Sequence, residues 1–148
     1  MTVRVQTASF DPGTELNAFL AASHGAGAAA TFTGVVRSGP NDPITALTLE
    51  CYPDLAINQL TDIVIQATER FGLFAVTVIH RYGTLGPGEP IVQVMALAPH
   101  REAAFKGAEF LMDYLKTDAP FWKQETGPQG TYWVEAKAED DRAKARWD

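Results

Sequence analysis

The sequence predicts a single α+β domain with a mixed or antiparallel sheet and about three helices. Three observations predict it. Segments of period-two alternation and segments of helical period follow one another as β-α-β-β-α-β-β-α-β, an order that mixes hairpins with crossovers. The length of 148 residues fits one domain, residues 1–148, which can bury roughly two thirds of its unfolded surface without staples. The composition, 46% hydrophobic and 20% charged, is that of a globular chain. No repeat, low-complexity tract or linker interrupts it.

The elements follow in order. Residues 2–10, "TVRVQTASF", alternate as a strand. In "DPGTELNAFLAAS", Asp11 is placed to cap a helix, Pro12 suits its first position, and Glu15 falls in the positively polarised first turn. The glycine-rich "SHGAGA" ends that helix and lacks the spacing of a phosphate cradle. A second strand, "AATFTGVVR", spans 29–37. Gly34 inside it points to close approach by a backbone or a ligand. "SGPNDP" is a loop, and "ITALTLECY" is a strand whose Leu47, Leu49 and Cys51 face is the expected core face.

"DLAINQLTDIVIQATERFG" carries Ile57, Leu60, Val64 and Phe71 at helical spacing and closes on Gly72. Two strands, "FAVTVIHRYG" and "EPIVQVMALAP", flank the turn "TLGPG". "REAAFKGAEFLMDYLK" is a third helix with an expected buried stripe of Phe105, Ala108, Met112 and Leu115. Pro120 forbids its continuation. "TYWVEAKAE" is the last strand, followed by a charged tail anchored by Trp147. So many strands leave exposed edges, and edge-to-edge dimerisation is one way to remove them.

Charge and cysteine content narrow the function. A net charge of −6 opposes general nucleic-acid binding and adhesion to anionic membranes. One cysteine excludes an internal disulfide. The start of the chain lacks a signal-peptide pattern and no long apolar run is present, so a soluble, cytoplasmic protein is expected. The histidines, His24, His80 and His100, show no paired metal-ligand spacing, so no metal is expected. His24 reads as solvated, and His80 reads as an edge residue bonded to backbone. Cys51 has no adjacent base and reads as a packed thiol, with a nucleophilic role as the alternative.

Two places break local rules. His100 and Arg101 put potential cations at a helix start, where partial positive charge already collects. An anionic ligand would satisfy both; a salt bridge from Arg101 is the alternative. At the other end of the same helix, "DYLKTDAPFWKQE" sets Lys116 and Lys123 on either side of Pro120, Phe121 and Trp122, whose rings are expected to wall a depression. Partly desolvated lysines near other cations lose their protons more readily and can serve in acid–base or nucleophilic chemistry. Two solvated surface lysines are the alternative. Arg37, after an apolar strand, is a weaker third signal. Arg101 and Lys116 are 15 residues apart, about 22 Å along a helix. One small ligand cannot touch both ends, so either each chain carries two sites or a dimer joins the start of one subunit's helix to the end of the other's; the second is expected.

The segments "TFTGVVR", "ALTLECYP", "VTVIHRYGTLGPGE", "APHREAAFKGAEFLMDYLKTDAPFWKQE" and "WVEAK" together resemble the molybdopterin synthase catalytic (large) subunit family. The likeness runs in order from about Ala29 to the C-terminal tryptophan. It implies an α/β-hammerhead fold and a sulfurtransferase of molybdenum-cofactor biosynthesis. Such enzymes add two sulfurs to cyclic pyranopterin monophosphate, a pterin, and so make molybdopterin. The donor is the thiocarboxylated Gly-Gly C-terminus of a small ubiquitin-like subunit. Two large subunits form a central homodimer, two small ones dock outside as a heterotetramer, and no cofactor or metal is required.

Site roles are implied by the same resemblance. Lys116 and Lys123 are the catalytic pair, and both also bind substrate. Val35, Val36, Arg37, His100, Arg101, Gln124 and Glu125 are substrate-binding residues, with His100 and Arg101 acting across the dimer. Phe32 and Met112 wall the pocket. Lys137 is a candidate phosphate contact, standing where relatives commonly have arginine. The "SGPNDP" loop is short, and Cys51 replaces a residue that is often aromatic or His. Two other classes remain: a non-catalytic dimeric scaffold that binds a ubiquitin-like tail, and a hydrolase using Cys51.

Overall fold

A computed structural model describes residues 1–22, 25–134 and 138–148. His24 and Lys137 lie outside the described residues. The elements run β1 (Thr2–Gln6), α1 (Pro12–Ala21), β2 (Ala28–Val35), β3 (Ala46–Glu50), α2 (Pro53–Phe71) and β4 (Ala75–Arg81). They continue as β5 (Gly83–Leu85), β6 (Pro90–Ala98), α3 (Arg101–Thr117), β7 (Trp122–Gly127), β8 (Gly130–Val134) and α4 (Ala138–Ala145). They build two sheets, one ordered β1-β4-β6-β2 and one ordered β5-β3-β7-β8. In the first, β1 runs parallel to β4 and the other pairs are antiparallel. The second is antiparallel throughout. The α+β class predicted from the sequence is the one observed.

Local chemistry explains the helix ends. The Asp11 carboxylate accepts from the Gly13 amide and the Thr14 hydroxyl, fixing the start of α1. Gly72 ends α2 in the left-handed region at φ 65°, as its position in the sequence suggests. The first sheet is packed on one side by α2 and α3. Leu60, Val64, Val78, Val94, Phe110 and Leu111 are at the centre of that core. Burying each such side chain removes it from water for roughly 1.5–3 kcal/mol. The second sheet has a smaller core of Val36, Ile44, Leu47, Leu49 and Leu85. Leu47 and Leu49 therefore do face inward as predicted.

Several expectations change. Phe105 is exposed, and the buried face of α3 is instead Ala104, Gly107, Ala108, Phe110, Leu111 and Leu115. The reason is close approach. A Cβ on Gly107 would meet the Leu73 side chain at 2.8 Å, so small residues, not Phe105, set the contact. Gly34 likewise lies close to the Val92 side chain, 2.8 Å from where its Cβ would be, and not to a backbone. The segment predicted as a plain turn at 84–88 begins with the short strand β5. Residues 122–127, to which the sequence pattern assigns no element, form a strand paired with β3. The last described strand ends at Val134, and the tail forms α4, a fourth helix. No helix among the described residues is long and apolar enough to cross a membrane.

Candidate active site

Three elements converge on one open cavity of about 400 Å³. A bulge between Gly34 and Val35 ends the pairing of β2 with β6 and redirects the chain. Val35, Val36 and Arg37 then line the cavity. Val36 is fixed there by backbone bonds in both directions, donating to the Glu89 carbonyl at 2.9 Å and accepting from the Gly88 amide at 2.8 Å. The last turn of α3 supplies Lys116, and β7 supplies Lys123 and Glu125. The period-two alternation of β7 puts those two side chains on one face. Ile44, Leu47, Ile91 and Phe121 form apolar walls.

The turn supporting Val36 is itself clamped. Arg81, almost fully buried, donates through Nε and Nη2 to the Thr7 carbonyl at 3.2 and 2.8 Å, and through Nη1 to Glu89 at 3.1 Å. The other Glu89 oxygen accepts from the Gly86 amide. That amide, and after it Arg81, hold the Glu89 carboxyl below its ordinary range. Glu125 accepts from the Tyr132 hydroxyl at 3.2 Å across the β7–β8 pair.

His80 is the residue that sequence reasoning undervalued. It is buried at the end of β4, paired to Val5 on β1 and Val92 on β6. Its ring stacks on Phe121 with centroids 3.8 Å apart and planes 14° from parallel. Nδ1 lies 2.8 Å from the Arg81 carbonyl. A carbonyl only accepts, so Nδ1 carries the proton and Nε2 the lone pair. Burial, helped by the charges of Lys123 and Lys116, lowers its pKa to about 4. The ring is neutral at physiological pH. The signal was present in the sequence: alternation along β4 puts His80 on the same face as the core residues Val76 and Val78.

The cavity gathers Val35, Val36, Arg37, Lys116, Lys123 and Glu125 from the sequence-predicted set. Lys116 is exposed on the isolated chain and Lys123 is half-buried. His100 and Arg101 are exposed at the opposite end of α3, about 22 Å away along the helix. Neither has an ion-pair partner among the described residues, which removes the salt-bridge alternative for Arg101 there. Gln124 falls on the other face of β7, opposite Thr48 and Trp133. Phe32 is exposed on β2, and Met112 packs against the main core; neither lines the cavity. Trp122 also points away from it, meeting Tyr52 edge-on at 6.0 Å.

Sequence reasoning placed Glu125 in the site but missed the other acids of the cavity, Asp42, Glu139 and Asp140. Asp42, Glu125, Glu139 and Asp140 share it with Arg37, Lys116 and Lys123. Among the described residues the cleft is therefore of mixed charge. Cys51 lies outside the cavity lining, and burial pushes its thiol pKa up. That is the reverse of what an activated nucleophile needs.

Comparison with known proteins agrees with this geometry. The family described as "MoaE protein" matches residues 5–118. A protein of Rhizobium meliloti named molybdopterin synthase catalytic subunit is 48% identical, across 99% of this chain and 96% of its own. A protein of Escherichia coli with the same name is 51% identical over 122 residues, 82% of this chain and 81% of its own. The solved structure of the molybdopterin biosynthesis MoaE protein from Burkholderia ambifaria superposes with a TM-score of 0.83 at 45% identity, covering 99% of this chain and 97% of that one. The chain belongs to the MoaE protein family.

Proposed function

We propose that this protein is the catalytic subunit of a molybdopterin synthase, a sulfurtransferase of molybdenum-cofactor biosynthesis. It takes sulfur from the thiocarboxylated C-terminus of a small ubiquitin-like carrier and places it on cyclic pyranopterin monophosphate. The observation that carries this reading is the convergence of Lys116, Lys123 and Arg37 on one cleft in an acidic chain. An extended tail can enter an open cleft, and a flat pterin can lie against Phe121 and the aliphatic walls. Lys116 serves as the proton donor and acceptor near the reacting carbons. Lys123 lines the same cleft, and Glu125, oriented by Tyr132, accepts from pterin N–H groups. Sulfur arrives with the carrier, so no resident cofactor or metal is part of this reading. Cytoplasmic location belongs to the same reading.

The mixed charge of the cleft gives the dimer a chemical purpose. Substrate phosphate and a carrier tail are both anionic, while among the described residues four carboxylates already face three cations. His100 and Arg101 of a second subunit supply the missing positive charge, since their own helix holds them about 22 Å from Lys116. Two such subunits form the centre of a heterotetramer with two carriers outside.

Product formation tests the reaction. The protein mixed with thiocarboxylated carrier and pterin precursor should yield dithiolene product. Carrier binding without product would leave only a scaffold. Mixed dimers test the composite site. An Arg101→Ala chain paired with a Lys116→Ala chain has one intact site and one doubly damaged site. It should recover up to half of normal activity where each parent has little; verified mixed dimers that stay inactive would remove the shared site.

A further inference from the structure

We infer that His80 is a positioning residue for the sulfur-transfer site, a rigid aromatic platform that holds Phe121 and, through it, the turn joining Lys116 to Lys123. The inference rests on the proposed reaction for its meaning, but its geometry stands apart. Between the end of α3 and the start of β7 the chain crosses only Asp118, Ala119, Pro120 and Phe121. Asp118 is exposed, and Trp122, the first residue of β7, is exposed too. Ala119 and Phe121 are the side chains of this crossing that pack against the main core. Phe121 is the larger, and it also forms part of the cavity wall.

What Phe121 rests on is not a loop. His80 closes a central strand, hydrogen-bonded between β1 and β6. Its ring orientation is set by the bond from Nδ1 to the Arg81 carbonyl. The near-parallel stack at 3.8 Å then fixes the plane of Phe121. A site on a rigid strand keeps its geometry better than one on a free turn. The neutral ring also adds no third positive charge beside the two lysines. Arg81, the next residue, faces the other way and clamps the turn behind Val36. Adjacent residues of one strand thus support two walls of the cleft.

Four variants of the full chain test this in complex with its carrier: His80→Ala, His80→Leu, His80→Phe and His80→Gln. Turnover is measured per folded molecule, with KM for the pterin, alongside amide hydrogen exchange over residues 117–123. Ala and Leu lack a flat face. Each should lower kcat by about 10-fold to 10²-fold, the cost of a misplacement near 1 Å, with a smaller change in KM. Exchange over 117–123 should accelerate to a similar degree. Phe retains the face and should restore both readouts to within about threefold of wild type. Should Ala fail to fold, Leu against Phe decides. Wild-type kcat and exchange in the Leu variant overturn the platform. Rescue by Gln but not Phe also overturns it, because the ring nitrogen would then matter and not the ring face. If wild type makes no product, the proposed reaction falls, while the exchange comparison still decides what His80 does.

Discussion

The two sheets solve opposite problems. The first, β1-β4-β6-β2, is packed by α2 and α3 and holds the larger core, from Leu60 and Val64 through Val94 to Phe110 and Leu111. The second, β5-β3-β7-β8, buries Leu47, Leu49 and Leu85 but leaves Trp122, Tyr132 and Trp133 about half exposed. The larger buried core lies against the first sheet, and the second keeps three large aromatic side chains half in solvent. The cleft sits where they meet: β2 and the end of α3 bring residues from the well-packed side, and β7 brings Lys123 and Glu125 from the thin one. A site on this seam borrows rigidity from one layer and access from the other.

The sharpest way to break that division is at Lys116. Lys116→Ala should lower turnover by about 10²-fold to 10⁴-fold, while the melting temperature stays within a few degrees of wild type, since the side chain is exposed on the chain. A large drop in stability would mean that the seam also supports the fold. Leu111→Ala is the converse. Leu111 is 1% exposed in the first core, so truncation should cost about 2–5 kcal/mol by denaturant titration. Activity per folded molecule should be retained.

The pH dependence comes next. His80 has a pKa of about 4 in the folded chain against an ordinary 6.5. Above pH 6.5 both folded and unfolded chains hold it neutral, and its contribution is constant. Between 6.5 and about 4 the unfolded chain takes up a proton that the folded one refuses, so stability falls as pH falls. The loss is at most roughly 3 kcal/mol, and below pH 4 it levels off. His80→Phe should flatten that segment of the pH–stability curve relative to wild type; parallel curves would refute the assignment. The smallest effect concerns Glu89→Gln, which weakens the Arg81 clamp. Exchange at the Val36 and Gly88 amides should rise by about threefold, with little change elsewhere.

Periodicity made most of the first sheet and its helices legible. The Leu60 and Val64 stripe with Gly72 at its end, and the Asp11 cap, follow from local rules and were confirmed. Phe105 misled because large apolar residues dominate a sequence reading, whereas the buried face of α3 includes the small residues Ala104, Gly107 and Ala108, with Gly107 close against Leu73. β7 pairs with β8 directly after it and with β3 far away in sequence, and it was missed because "FWKQE" alone shows neither pairing. Its alternation would have placed Lys123 with Glu125 and separated Gln124 from them. α4 lacks an apolar stripe. Its signal was electrostatic, Glu139, Asp140 and Asp141 in the first turn and Arg142 and Lys144 in the last, and Trp147 seats the chain after it by donating to Asp113 at 2.6 Å. That Lys116 and Lys123 share one cleft was legible in the sequence. The acids beside it came from the 38–43 loop and α4, and only the fold could bring them there.

The unbroken run of α3 from Arg101 to Thr117 makes that helix a ruler. Each added or removed residue would turn one end against the other by about 100° and shift it by about 1.5 Å. Lys116 would leave its cleft, and the face of Ala104, Gly107 and Leu111 would lose its seat. Substitution along this helix is graded in its effects, but insertion and deletion are not. Length is therefore the property of α3 least free to vary, and tolerated insertions in this chain should cluster at its loops and spare residues 101–117.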